Sequence, residues 1–312
     1  MRDAFVRRLL RHAEEDPRIL LVSGDLGFGV FNEYRQRVPA QFLNAGIAEQ
    51  NMTGMATGLA LEGRIVFTYS IGNFPTLRCL EQIRNDACYH DANVKIVAIG
   101  GGFSYGALGI SHHATEDLAI LRALPNLTVV APGDTWEAEE ATSAIIETPG
   151  TAYLRLDRST AHCPVAEGER FVLGQIRRLR EGADLTLVST GGILSVALEA
   201  AESLAAEGID CRVLQVHTLK PIDPEPLFQA CRETSGMITI EEHTIHGGLG
   251  GLTAELCLEA GVTPRRFQRL GLRAGFSAVV GSQDYLRSIY GIDAPSIAQA
   301  AREMLRRPPA WP

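Results

Sequence analysis

Short continuous apolar runs alternate with stretches in which apolar positions return every three or four residues, and this alternation continues along the whole chain. The second pattern predicts amphipathic helices and the first predicts strands buried on both faces. Residues 1–15 open with a helical pattern, Phe5, Leu9, Leu10 and Ala13 sharing one face with arginines between them. Strands are predicted at 19–22, 64–68, 94–99, 127–130 and 151–156, and helices at 48–61, 76–89, 116–123 and 135–147. The last of these helices starts at a Gly-Asp-Thr cap. Around 159–174 the periodicity lapses near Pro164 and Gly168, which predicts a linker. A second set follows, with strands at 185–189, 212–215, 237–241 and 267–270 and helices at 194–206, 224–233 and 250–259. Regular β/α alternation implies an α/β chain of two doubly wound, parallel-sheet domains.

Composition narrows the function. At 312 residues the chain has room for two cores, and 46% hydrophobic with 21% charged residues is a globular composition. The net charge is −8, from 29 basic against 37 acidic residues, with no basic cluster of the kind a nucleic-acid footprint needs. No apolar stretch reaches the roughly 20 residues of a membrane span, so neither nucleic acid nor membrane is expected as a partner. The six cysteines form no C-x-x-C pair, which points to reduced thiols in a cytoplasmic protein.

In open α/β sheets ligands bind outside the carboxyl ends of the strands, and several loops there are chemically rich. Ser23-Gly24-Asp25-Leu26-Gly27 is either a structural turn or a loop that aims Asp25 at the crevice. Asn44-Ala45-Gly46-Ile47-Ala48-Glu49-Gln50-Asn51 leads from a short strand into an Ala/Gly-rich helix. A carboxylate there stabilises the helix dipole at the least. Taken with Tyr69-Ser70-Ile71-Gly72-Asn73-Phe74, Gly109-Ile110-Ser111-His112-His113, Glu116-Asp117-Leu118 and Tyr153-Leu154-Arg155-Leu156-Asp157-Arg158, these motifs resemble the pyrimidine-binding part of the transketolase family. Glu241-Glu242-His243 and Gly247-Gly248-Leu249-Gly250 resemble its C-terminal domain. The resemblance spans nearly the whole chain, and implies a pyrimidine-binding domain over 1–165 and a C-terminal domain over 175–312.

The family uses thiamine diphosphate with magnesium. The resemblance implies that Glu49 is the acid that meets the cofactor's pyrimidine, in apolar surroundings that let it share a proton. It implies that Phe74 stacks on that ring, with Tyr69 as a second aromatic and Asp25 as a nearby acid. His112 matches a histidine that faces substrate and can move a proton, with His113 beside it. Arg158 and Arg155 match arginines that contact a sugar phosphate, for which a guanidinium is suited; a strand-end salt bridge is the alternative for either. Adjacent histidines with no third ligand point to no metal site on this chain.

Two departures sharpen these expectations. Leu108 stands where many sugar-using members carry an aspartate to a donor hydroxyl, which implies a less polar or deoxygenated substrate portion. No Gly-Asp-Gly occurs anywhere, so the diphosphate and magnesium cradle is missing. The chain therefore resembles one half of a split enzyme, with magnesium held mainly by a separate diphosphate-binding N-terminal transketolase subunit in an α2β2 heterotetramer. The activity this implies is transfer of a two-carbon ketol unit from a small-molecule sugar to an aldehyde. The alternatives are a decarboxylating subunit resembling 1-deoxyxylulose-5-phosphate synthase or a 2-oxoacid dehydrogenase beta chain, and a non-catalytic partner. The Gly-rich segment 100–106 follows a strand but has no G-x-G-x-x-G and opens no predicted helix directly, so a dinucleotide loop is not expected there. The segment 247–251 precedes a helix and stays open between anion binding and close packing or a subunit contact.

Overall fold

In the computed structural model, residues 1–159, 161–273 and 275–306 are described. In chain order the first domain comprises α1 (Arg2–Glu15), β1 (Ile19–Ser23), α2 (Asn32–Arg37), β2 (Phe42–Asn44), α3 (Glu49–Leu61), β3 (Ile65–Ile71), α4 (Leu80–Gln82), β4 (Val94–Ile99), α5 (Asp117–Arg122), β5 (Leu127–Val130), α6 (Thr135–Glu147) and β6 (Thr151–Leu156). The second comprises β7 (Arg177–Arg180), β8 (Leu185–Thr190), α7 (Leu194–Ala205), β9 (Cys211–Gln215), β10 (Thr218–Lys220), α8 (Glu225–Glu233), β11 (Met237–Thr244), α9 (Leu249–Glu259), β12 (Phe267–Leu272), α10 (Gln283–Ile289) and α11 (Ala294–Arg306).

Two sheets result, ordered β10-β5-β6-β4-β3-β1-β2 and β12-β11-β8-β9-β7. Every pairing is parallel except those of β10 with β5 and β7 with β9. The β10 strand belongs to the second domain in sequence yet extends the first domain's sheet, so the two domains share backbone hydrogen bonds. They also share a core, in which Val66, Ile96 and Tyr153 join Leu214, Leu219 and Leu249. On the opposite face of the first sheet Phe5, Leu9, Phe67 and Ile145 pack together. Each fully buried Leu or Phe of this kind stabilises the fold by roughly 1.5–3 kcal/mol. The six cysteines are free and buried, and among the described residues no helix is long and apolar enough to cross a membrane.

The expected cap of α6 is Asp134, whose side chain accepts from Glu137 N at 2.8 Å. The helix expected over 76–89 is instead three pieces, a 3-10 turn at Leu77–Cys79, then α4, then a π turn at Ile83–Cys88. A tight turn followed by a wide one shifts side chains off the 3.6-residue period. The consequence for function is that Arg78 sits in the tight turn.

Candidate active site

The carboxyl ends of β1 and β3 and the start of α3 converge on one carboxylate. Glu49 is the first residue of α3, is 2% exposed, and lies where the helix dipole favours an anion. A Cβ at Gly24 would lie in ordinary contact, at 3.5 Å, with Glu49 Cγ and Ser70 Oγ, so the turn after β1 runs beside the acid. The same turn carries Asp25, which accepts from Asn44 Nδ2 at 2.8 Å and so ties the first crevice loop to the second. Arg78 Nη1 donates to Glu49 Oε2 at 2.7 Å. The wholly apolar surroundings expected for Glu49 are therefore corrected, because the 3-10 turn delivers a guanidinium to it.

That guanidinium also covers the Phe74 ring at 4.6 Å. The His112 ring meets Phe74 edge-on, with the two centroids 5.1 Å apart and the planes at 71°. Glu49, Arg78, Phe74 and His112 thus form a continuous row. His112 Nδ1 is engaged by Ser111 Oγ at 3.0 Å, which leaves Nε2 unengaged. Partial burial and the neighbouring His113 hold the imidazole below its ordinary pKa of 6.5, so at neutral pH it is a proton acceptor.

Three expected site residues lie elsewhere. Tyr69 is buried against Phe5 and Phe31, on the opposite face of the sheet from Glu49. The cause is strand alternation: Ser70 points to Glu49, so its neighbour must point away. Arg155 is a buried ion-pair member, with Nε 2.9 Å from Asp117 Oδ2, and has no free face for a phosphate. His113 is fully buried; its Nε2 donates to the Gly106 carbonyl at 3.0 Å, holding a turn rather than lining a crevice.

Arg158 is exposed, its guanidinium 5.3 Å over the Tyr105 ring, and Tyr105 lies 6.2 Å from His112. It lines a cavity of about 370 Å³ together with Arg2, Arg7 and Thr135. Arg2 and Arg7 escape sequence reasoning because arginines on an amphipathic helix read as a solvated face. Leu108 is 57% exposed on the 3-10 turn Gly106–Leu108, two residues before exposed Ile110 and next to Gly109, against which exposed Val280 lies. Phe28 and Ile47 are also exposed, at 85% and 79%, on the loops beside Glu49.

Of the two Gly-rich segments, 247–251 opens α9, whose N-terminus is filled by Glu241 of this same chain. Leu249 N and Gly250 N donate to its carboxylate at 2.7 and 2.8 Å. The segment 100–106 is bridged to Ala114 through Gly102 and precedes no α-helix directly. Among the described residues no group of three or more His, Cys, Asp or Glu is placed to hold a metal.

Residues 1–162 match the transketolase pyrimidine-binding domain, and residues 174–297 match the transketolase C-terminal domain. The chain belongs to the transketolase family. More narrowly, it carries the pyrimidine-binding and C-terminal domains and is similar over nearly its whole length to subunits of split transketolases. It is similar to the 6-deoxy-6-sulfo-D-fructose transketolase subunit SqwH of Clostridium sp. (strain MSTE9), at 37% identity over 98% of this chain and 95% of that one. An apulose-4-phosphate transketolase subunit of Phocaeicola vulgatus is similar at 35% identity over 98% and 97%. A split gene transketolase, solved as an inactive β4 tetramer, has a TM-score of 0.86 and 36% identity over 97% of each chain. The 1-deoxy-D-xylulose-5-phosphate synthase of Desulforudis audaxviator is 32% identical, but this chain spans 48% of it.

Proposed function

We propose that this subunit, joined to a diphosphate-binding subunit, moves a two-carbon ketol unit from a partly deoxygenated, anionic-tailed sugar to an aldehyde acceptor. The observation that carries this reading is the row Glu49–Phe74–His112. A buried acid, an aromatic ring and a neutral histidine are adjacent there, with a glycine turn leaving room at the acid.

These residues fit the pyrimidine half of thiamine diphosphate. Glu49 would hold a proton at a ring nitrogen, Gly24 would admit the ring, and Phe74 would pack on its face. When bound, the cofactor supplies a nucleophilic carbon for breaking the bond next to a ketone. His112 Nε2 exchanges a proton with the oxygen of the donor or acceptor. Arg158 and Arg2 bind the anionic tail in the cavity between them, and Leu108 packs on an apolar part of the sugar. Asp25 holds the first loop in place from the side.

The exposed Phe28 and Ile47 support an interface beside Glu49, where the partner would bring the diphosphate and most of the magnesium ligands. Two-fold pairing of such halves gives an α2β2 heterotetramer, in the cytoplasm, with domain limits near 1–165 and 175–312. The test is reconstitution with a diphosphate-binding subunit and a ketose phosphate or its deoxy or sulfonated analogue. Ketol transfer that needs both chains supports the reading; carbon dioxide release from pyruvate in place of transfer would overturn it.

A further inference from the structure

The row Glu49–Arg78–Phe74–His112 is drawn from the first domain, yet the turn that carries His112 is gripped from the second. Glu242, in β11, is buried, and its carboxylate accepts from three donors. Gln283 Nε2 donates to Oε1 at 2.9 Å and Arg287 Nε donates to Oε2 at 2.8 Å, both from α10. The third donor is the backbone N–H of Phe103. Phe103 follows Gly102, whose φ of 60° and whose missing side chain leave the space that the carboxylate fills; a Cβ there would lie 2.6 Å from Glu242 Oε1.

Gly102 in turn forms a two-way backbone bridge with Ala114, at 2.9 and 3.0 Å, two residues beyond His112. A second route runs through Arg155, whose Nη2 donates to the carbonyls of Ala114 at 2.7 Å and of Glu242 at 3.1 Å. The turn is closed from below by His113 Nε2 on the Gly106 carbonyl and by Asn73 Nδ2 on the His113 carbonyl, at 3.0 and 2.8 Å. The Glu242 carboxylate therefore holds the 102–103 side of the loop pair directly, and the side that follows His112 through the Gly102–Ala114 bridge. Buried ion pairs are a weak source of net stability, and what they do supply is a fixed arrangement of the groups they join.

We propose that Glu242 is a positioning residue for the transfer reaction: the C-terminal domain sets the place of His112 by holding Gly102, Phe103 and Ala114. The inference rests on His112 belonging to the reacting site. Two readouts on the full chain in solution separate it from that reading: the His112 ring resonances, assigned by their loss in His112→Gln, and amide hydrogen exchange at 102–106 and 112–114. Glu242→Ala should displace the His112 resonances and speed exchange in both segments about tenfold or more, since a buried N–H loses its acceptor. Glu242→Gln, which keeps an oxygen for the Phe103 N–H, should restore most of both. Leu204→Ala, a core truncation in the second domain, should lower the melting temperature and move neither. If Glu242→Ala does not fold, Gln283→Ala removes one partner of the same carboxylate and is judged by the same shifts. Unchanged His112 resonances and exchange in a folded variant, or equal changes in Leu204→Ala, would overturn the proposal. A fully active reconstituted His112→Gln enzyme would instead sink the functional reading and leave the Glu242 linkage standing.

Discussion

Arg78 and Glu49 form an ion pair at 2.7 Å in which the carboxylate is buried and the guanidinium is about half exposed. Removing the arginine leaves a buried charge without its partner, so Arg78→Ala should destabilise the chain by about 1–2 kcal/mol, a figure reduced for the solvent on the arginine side. The same substitution in a Glu49→Gln background should cost less, because no charge is stranded. Denaturant unfolding of the four proteins in this cycle measures the coupling, and strictly additive effects would remove the pair from the account.

Glu49 itself should be dispensable for folding and essential for turnover. Glu49→Gln in the reconstituted enzyme is expected to lose about a thousandfold or more in kcat, the usual scale for a positioned acid, with an unchanged circular dichroism spectrum. Retained activity in Glu49→Ala would disprove the assignment.

The cavity between Arg158 and Arg2 makes a prediction about binding alone. Arg158→Ala and Arg2→Ala should each raise KM for phosphate- or sulfonate-tailed sugars about tenfold or more and leave kcat nearly unchanged, because the tail is bound equally before and during reaction. Uncharged analogues should be insensitive to both, and equal losses for charged and uncharged sugars would refute an anion site.

Leu108 sets a direction for the donor. Leu108→Asp should improve use of fully hydroxylated ketose phosphates relative to deoxygenated ones by about tenfold, the scale of one hydrogen bond at a partly exposed position. No change in that ratio across a panel of donors would count against the apolar subsite.

Stability should respond to pH through two groups in the seam between domains. Burial, with Arg177 nearby, pushes His217 from its ordinary 6.5 down to about 3. The unfolded chain then binds the extra proton in that window, so stability rises with pH and is complete above 6.5. Glu137 acts in the opposite sense, pushed by burial from 4.5 up to about 7 in spite of Arg177 at 2.7 Å. Its folded form holds the extra proton, so stability falls as pH rises from 4.5 to 7. Between 4.5 and 6.5 the two slopes, each up to about 1.4 kcal/mol per pH unit, offset one another. His217→Gln should therefore lose stability with rising pH across this window and Glu137→Gln should gain it, as read by unfolding free energies. Parallel curves for wild type and both variants would contradict the assignment.

What the sequence makes legible follows from how local each signal is. Strands β4, β5 and β6 are apolar runs bounded by turns and are found where the pattern predicts them. Helix α11 is harder to see because its buried face is largely alanine, Ala298, Ala300 and Ala301 beside Ile297. Strand β10 is short and pairs with the other domain's sheet, which no local pattern encodes. Tyr69 and Ser70 sit in a strand buried on both faces, so hydrophobicity cannot say which of them faces Glu49. Arg155 reads as either a phosphate ligand or a strand-end salt bridge until Asp117, distant in sequence, is found beside it. Glu49, Phe74 and His112 are legible as motifs, but the arginine that joins the first two depends on a 3-10 turn that breaks the helical period.

The central claim is that this chain holds half of a cofactor site. Titration calorimetry of thiamine diphosphate with magnesium, first into the isolated chain and then into its mixture with a diphosphate-binding transketolase subunit, tests it directly. The account predicts no measurable heat of binding for the chain alone and saturable binding in the mixture, lost on Glu49→Ala; tight binding to the isolated chain would contradict it.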